Sequence, residues 1–344
     1  MDETYFEGEI REQPETLARL LRDGRAAVER VAAIVRAAAP AWVTIAARGT
    51  SDNAARYAQY ALGARNRLSV ALAAPSLFTV YASPPSLAGA LVVGISQSGQ
   101  SPDIVAVVAE GRRQGAVTIA VTNDPASPLA RTAEHTLALH AATERAVAAT
   151  KTYSTELFTV AMLSAALAND EAAWRELAGV PELFARALDL ASPALAASRW
   201  RASERFLVLG RGFNYATAFE IALKIKETSY VITEPYSFAD FLHGPAAMLE
   251  RGFPVILVAP SAQEDASSML ELLDRRGADV LAISDDPAVL AHAGDALELP
   301  PGMSEWISPI VAIAPGQLFA LALARARGTD PDRPRGLSKV TETR

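Results

Sequence analysis

The sequence predicts an α/β protein made of two tandem copies of one doubly wound unit. Short apolar runs bounded by Gly, Pro, Asn and Asp alternate with longer alanine-rich segments of helical period, and the chain matches itself at a constant spacing. Such alternation is typical of βαβ units and hence of a parallel sheet. The 344 residues also correspond to about two domains of ordinary size.

Six apolar runs are predicted to be strands, because each is short and ends at turn-forming residues. They are residues 42–46, 90–95, 117–121, 206–209, 255–259 and 280–283. The stretch from Lys151 to about Arg201 has helical character and is expected to join the two copies.

The repeat is visible as matched segments at one offset. RGTSDNAARYA from Arg48 matches RGFNYATAFEI from Arg211, and 211 − 48 = 163. The same offset places VVGIS on VILVA, and a shift of 162 places Pro125 on Pro287. In the second copy the segment SQSGQS is replaced by PSAQED, which has fewer hydroxyls and two carboxylates, so we expect an anion to be repelled there.

These boundaries divide the chain into five predicted parts. We expect a helical arm at residues 1–30, a first domain at 31–165 and a helical connector at 166–201. A second domain at 202–330 and a tail at 331–344 that reaches the active site complete the chain.

The composition excludes several classes of function. A net charge of −7 argues against a nucleic-acid partner, which needs clustered basic residues. The absence of cysteine excludes disulfides and thiolate sites, and the four histidines are not clustered with carboxylates, so we expect no metal and no cofactor. The N-terminus lacks signal-peptide features and no apolar run is long enough to span a membrane, so we expect a cytoplasmic protein.

The loop GISQSGQSPDI, residues 94–104, follows a predicted strand and opens a predicted helix. Ser101 is expected at the N-cap with Pro102 at the first helical position. A helix N-terminus beside hydroxyls suits a phosphate, whereas the absence of lysine makes a nucleoside triphosphate site improbable. A plain polar turn remains the alternative for this loop, and for the RGTS loop at Arg48 an ordinary N-cap.

A second candidate group lies in FEIALKIKETSY. Glu220, Lys224 and Glu227 are spaced by four and three residues, which places them on one helix face, where the lysine can interact with both carboxylates. A solvated salt-bridge face is the alternative. His243, in FLHGP, is followed by a glycine and a proline, which constrain the local backbone. Such a position fits a catalytic imidazole, and the alternative is a histidine that only caps a turn.

Six motifs of the chain resemble, in order and spacing, those of the SIS (sugar isomerase) family. They are GTS, SQSGQS, VAATK, GRG with FEIALKIKE, HGP and DPDRPRGLSKVTET. This family includes the isomerase domain of glucosamine-6-phosphate synthase and SIS-type glucosamine-6-phosphate deaminases. The resemblance covers nearly the whole chain from about Glu9. It implies two tandem SIS units, each a flavodoxin-like parallel sheet with helices on both faces, in a homodimer.

The resemblance also implies roles for individual residues. Glu227 would move a proton between C1 and C2 of a sugar, Lys224 would assist the hydroxyl protons, and His243 would open the ring from the other subunit. Lys339 would form a Schiff base with an open-chain ketose. The 6-phosphate would be held by Ser96, Gln97, Ser98 and Ser101 with Thr50 or Ser51, and the sugar by Arg48, Gly49, Ala148, Ala149, Lys151 and Glu220.

The chain departs from the family pattern at several positions. Arg48 replaces a cysteine, Ala149 a serine and Ser101 a threonine, which points to a changed substrate, and without cysteine we expect no use of glutamine as ammonia donor. The leading hypothesis is an isomerase that deaminates glucosamine 6-phosphate to fructose 6-phosphate through a C1–C2 enolamine. Alternatives are dehydration of N-acetylglucosamine 6-phosphate, deglycation of a fructosamine phosphate, and a non-catalytic sugar-phosphate sensor.

Overall fold

The computed structural model describes residues 4–260 and 265–339 of the chain. The described residues form ten strands, which in chain order are β1 Trp42–Ala46, β2 Val70–Leu72, β3 Ala90–Ile95, β4 Val117–Thr122, β5 His135–Ala138, β6 Arg205–Gly210, β7 Ile232–Ser237, β8 Pro254–Val258, β9 Asp279–Ser284 and β10 Asp295–Glu298.

The helices alternate with these strands. In chain order they are α1 Tyr5–Arg11, α2 Gln13–Ala38, α3 Thr50–Asn66, α4 Ser76–Thr79, α5 Pro102–Arg113, α6 Pro128–Thr132, α7 Lys151–Ala168, α8 Glu171–Leu190, α9 Ala194–Arg199, α10 Tyr215–Ser229, α11 Phe238–Leu242, α12 Ala266–Arg275, α13 Pro287–His292 and α14 Ser308–Arg327.

The chain divides into two units, each with its own five-stranded parallel sheet. The first unit comprises Glu15–Glu144, Lys151–Gly179 and the described end of the chain from Ser338, and its sheet has the order β2-β1-β3-β4-β5. The second unit comprises the residues up to Pro14, Arg145–Thr150 and Val180–Leu337, with the order β10-β9-β8-β6-β7. Read from β7, the second order repeats the first. The predicted tandem α/β architecture is confirmed.

The six predicted strands are the six interior strands, and each matches its observed bounds to within one residue. Four strands were not predicted, namely β2, β5, β7 and β10, and all four lie at sheet edges. An edge strand has one neighbour and is partly exposed, so it does not need a continuous apolar run. The strand ITEPYS even contains a proline and a glutamate.

One long helix in each unit is buried on nearly all sides. In the first unit α7 packs against α3, and in the second α14 packs against α10. Within the described part of the chain, α14 alone is long and apolar enough to cross a membrane, but 83% of its apolar window is buried in the protein. This burial is what a core helix of a folded domain shows.

The close approach of α14 to α10 depends on a residue without a side chain. A Cβ at Gly316 would lie 2.6 Å from Ile221 Cδ1. We expect Gly316→Ala to destabilise the protein by about 1–3 kcal/mol, because the added methyl overpacks the helix contact. Urea unfolding measures the effect.

The matched control is Gly179→Ala, in the middle of α8, where an added Cβ meets nothing within 4 Å. Removing a helical glycine there should stabilise by about 0.5–1 kcal/mol. Equal stabilisation by both changes would show that the α10–α14 contact does not need the glycine.

Candidate functional site

Each sheet reverses its winding between two neighbouring strands. In the first unit β1 lies between β2 and β3, so the connections that leave β1 and β3 run in opposite directions along the sheet. Loops at the carboxyl ends of such a strand pair separate and leave a crevice, which is where open α/β sheets bind ligands. The two hydroxyl-rich loops, RGTS after β1 and SQSGQS after β3, both stand at this crevice.

The SQSGQS loop is fixed by its own backbone. The carbonyl of Gln97 accepts hydrogen bonds from Asn123 N at 3.0 Å and Thr122 Oγ1 at 3.2 Å, and the carbonyl of Gly99 accepts one from Leu129 N at 3.1 Å. Gly99 has φ of 61°, and a Cβ there would lie 2.5 Å from Ser127 Cβ. Glycine is therefore required here both for conformation and for space.

Ser101 occupies the predicted N-cap of α5 but does not cap it. Its ψ is 112°, and its side chain makes no bond to the helix N–H groups. Thr4, Ser127 and Ser237 do cap their helices, with ψ of 158°, 160° and 157°. In the first turn of this 12-residue helix the N–H of Ile104 donates to Asp103 Oδ1 at 2.9 Å instead. The Ser101 hydroxyl is thus not used as a cap, and with the half-buried Ser98 beside it, this helix N-terminus suits an anion.

The RGTS loop begins α3 through a glycine. Gly49 adopts φ 55° and ψ −128°, a conformation open essentially to glycine alone. Ser51 is buried and donates its hydroxyl hydrogen to Glu156 Oε1 at 2.7 Å, while Thr50 is half-buried. Thr50 or Ser51 was expected to help hold the phosphate. The Ser51 hydroxyl hydrogen is already donated to the carboxylate of Glu156 inside the protein.

Arg48 lies beside the N-terminus of α5. Its Nε donates to Asp103 Oδ2 at 2.9 Å, Asp103 is buried, and the Arg48 side chain is 51% exposed. Arg211, its repeat equivalent, pairs with Asp265 in the second unit, and 265 − 103 = 162 repeats the offset of the sequence. Residues 261–264 of the second-copy loop lie outside the described residues. Both units therefore join the two loops of the crevice by an Arg–Asp ion pair.

The predicted carboxylate–lysine face of α10 is formed in the second unit. Lys224 Nζ lies 3.3 Å from Glu220 Oε1 and 2.6 Å from Glu227 Oε2. The side chains of Lys224 and Glu220 are fully buried, whereas that of Glu227 is 22% exposed. The interpretation as a solvated surface face is wrong, because burial removes two of the three groups from water.

Burial and charge oppose each other at Lys224. Burial alone would lower the pKa of Lys224, but the carboxylates of Glu220 and Glu227 outweigh it, and the pKa is raised above its ordinary value. Lys224 therefore stays protonated, and two carboxylates share one cation. Glu227, the member of the three with solvent access, is the carboxylate that a ligand could reach.

His243 is exposed at the end of α11 in the second unit, where its backbone N–H donates to the Asp240 carbonyl at 3.2 Å. Gly244 follows with φ of 136°, which turns the chain sharply. Leu242 and Met248, on either side, expose 58% and 43% of their surface. The histidine thus stands on a projecting, partly apolar turn.

The remaining predicted residues lie in both units. Lys151 is buried in the first turn of α7, in the first unit. Ala148, in the second unit, packs its methyl in an apolar cluster with Phe6, Ile10 and Leu318, and Ala149 is half-buried. Ala148 has no exposed surface, so it offers no direct contact to a sugar in this structure.

Lys339 pairs with a residue that sequence analysis missed. Its Nζ donates to Glu144 Oε2 at 2.6 Å, and the Glu144 side chain is fully buried. Glu156 and Asp103 were missed as well. The signal for Glu156 was a single acidic residue in the otherwise uncharged stretch 152–168, since such a carboxylate needs an internal donor, whereas Glu144 is followed by Arg145 and gave no such signal.

Comparison with known proteins gives two matches of the SIS domain model, at residues 42–166 and 200–326. The chain is 40% identical over 262 residues to a glutamine–fructose-6-phosphate aminotransferase (isomerizing) of Thermococcus kodakarensis, which covers 72% of this chain and 43% of that protein. The chain spans about half the length of the curated relatives it matches.

Two solved structures match nearly the whole chain. A proposed phosphosugar isomerase of Silicibacter pomeroyi is 37% identical, with a TM-score of 0.86 and coverage of 96% of this chain and 100% of that one. The C-terminal domain of a glucosamine-fructose-6-phosphate aminotransferase of Francisella tularensis is 28% identical, with a TM-score of 0.85 and coverage of 97% and 99%.

The buried ion cluster of α10 makes a testable prediction about stability. Lys224→Met removes the cation and leaves Glu220 buried, so we expect a loss of about 3–5 kcal/mol. Lys226→Met, two residues away and exposed, should change stability by less than about 0.5 kcal/mol. Urea unfolding of both variants at neutral pH provides the comparison. Equal, small effects would mean that the cluster does not depend on its cation.

Proposed function

This chain belongs to the SIS domain family, and on that premise we propose that it is a phosphosugar isomerase acting on an amino sugar 6-phosphate. The proposed reaction converts glucosamine 6-phosphate and water into fructose 6-phosphate and ammonia. The observation that carries it is the accessibility of Glu227 beside its two fully buried partners, Glu220 and Lys224. The names of the relatives support the substrate class.

The chemistry needs one carboxylate to act twice. Glu227 takes the proton from C2 of the open-chain aldose, which gives a C1–C2 enolamine, and returns it to C1. The resulting C2 imine then reacts with water to give the ketone and ammonia. Lys224 stays protonated behind Glu227 and, being fully buried, can supply the proton that the C1 oxygen gains only by way of Glu227. General-base action of this kind contributes about 10²–10⁴-fold.

The first unit supplies the proposed phosphate site. The α5 N-terminus, where Ser101 makes no cap hydrogen bond, and the hydroxyls of Ser96, Ser98 and Thr50 offer donors without a lysine. Arg48, held by Asp103, adds a cation near the same helix end. A phosphate far from the reacting carbons orients the sugar, so its binding energy supports the chemical step.

His243 is the proposed ring-opening group, and its exposure fits a histidine that serves a second copy of the chain in a homodimer. Lys339 is proposed to react with the open-chain ketose. Arg48 and Ala149 stand where the family has cysteine and serine, so they are the positions we expect to adjust the sugar specificity.

The base assignment is tested by Glu227→Gln. We expect the variant to lose at least about 10³-fold in kcat with glucosamine 6-phosphate, because the amide cannot take a proton. Proton NMR in D₂O follows both turnover and exchange at C2. Glu234→Gln, on exposed β7 of the same unit, removes the same charge and should behave as wild type.

The same NMR experiment separates the alternatives. Ketose with ammonia supports the proposal, and an unsaturated product from the N-acetyl sugar would indicate a dehydratase instead. Ketose released from a fructosamine phosphate would indicate a deglycase. Binding with no solvent deuterium in any candidate sugar phosphate would leave only a sensor.

The phosphate site makes a separate prediction. Ser98→Ala and Ser101→Ala should each raise KM at least about tenfold, since each removes a hydrogen bond to a charged group worth about 1.5–3 kcal/mol. Steady-state kinetics provides the values. Ser83→Ala, exposed after α4, should leave KM unchanged. An unchanged KM in the two loop variants would place the phosphate elsewhere.

A further inference from the structure

We propose that Glu144 is the positioning residue and proton acceptor of Lys339, and that this pair makes the amine of Lys339 able to form an imine with an open-chain ketose phosphate. The inference deepens the proposed function and rests on it. Lys339 Nζ lies 2.6 Å from Glu144 Oε2, with the lysine side chain 24% exposed and the glutamate side chain fully buried.

Glu144 is held in place from the other side. Thr152, in the first turn of α7, donates its backbone N–H to Glu144 Oε1 at 3.0 Å and its hydroxyl to Oε2 at 2.8 Å. A carboxylate at a helix N-terminus is also favoured by the helix dipole. The Glu144 carboxylate is therefore held in one position. Through its hydrogen bond it also holds the ammonium group of Lys339, which lies on a segment without regular secondary structure.

The composition of the chain bears on the choice of lysine here. Of 32 Lys and Arg residues, only four are lysines: 151, 224, 226 and 339. Away from the Lys224 cluster, arginine makes ion pairs such as those between Arg65 and Asp170 and between Arg325 and Glu7. Arginine cannot lose its proton in a protein, whereas a lysine can become a nucleophilic amine. An ion pair alone would not need a lysine.

The proposed step balances. Glu144 takes one proton from the Lys339 ammonium, and the nitrogen lone pair forms a bond to the C2 carbonyl carbon. Glu144 returns the proton to the carbonyl oxygen, and this oxygen then leaves as water with a second proton from nitrogen. The product is the protonated imine, and one water is released for each sugar bound.

The experiment uses the full chain with fructose 6-phosphate and sodium cyanoborohydride, which reduces an imine to a stable amine. Mass spectrometry of peptides should locate the adduct on Lys339. Glu144→Gln should lower the adduct at least tenfold, although glutamine can still accept from the Thr152 N–H. If Glu144 served only as a hydrogen-bond acceptor for the N-terminus of α7, Glu144→Gln would therefore not lower the amount of adduct. Glu15→Gln, exposed on α2 of the same unit, should match wild type.

Two more variants keep the test decisive. Lys339→Arg can still pair with Glu144 and should stay folded, but it should give no adduct at position 339. Glu144→Asp keeps the carboxylate and should restore part of the yield, so it serves if Glu144→Gln is unstable by circular dichroism. Equal yield in wild type and Glu144→Gln, or an Asp variant no better than Lys339→Arg, overturns the proposal.

The proposed function is tested apart from the pair. Wild-type protein that exchanges the C2 proton of glucosamine 6-phosphate but never traps fructose 6-phosphate would overturn the role of Glu144 and Lys339 and leave the isomerase intact. Wild-type protein that neither exchanges nor traps would overturn the isomerase proposal itself.

Discussion

The reversal of winding between neighbouring parallel strands is the constraint from which the proposed phosphate site follows. β1 and β3 pair along five residues, yet the chain leaves them in opposite directions. Their loops separate at the carboxyl edge, and a helix N-terminus faces the gap. Within these loops Gly49 and Gly99 supply positive φ angles, and Ser101 makes no cap hydrogen bond to α5.

The second unit repeats this geometry with a different loop sequence. The order of its sheet is the same, and Arg211 and Asp265 pair where Arg48 and Asp103 do. The side chains that follow β8 are not hydroxyl-rich. The repeat thus shares the crevice and its Arg–Asp ion pair, while the sequence of the loop after the third strand differs between the two units.

Buried charges distinguish the two helices to which the proposed chemistry is assigned. α10 places Lys224 between two carboxylates, and the N-terminus of α7 faces Glu144, which binds Lys339. A buried charge is tolerated only with a partner, so each pair leaves a single member at the surface. Glu227 and Lys339 are those members, and they are the carboxylate and the amine to which the proposed reaction assigns roles.

The sequence by itself determined the six interior strands, the repeat, and the shared face of Glu220, Lys224 and Glu227, because local periodicity and burial on all sides set these features. Only the tertiary structure decided the four edge strands and the missing cap at Ser101. It also decided the partners of Ser51 and Lys339, which are Glu156 and Glu144, 105 and 195 residues away along the chain. Such contacts depend on which elements pack together, and residue spacing carries no signal for that.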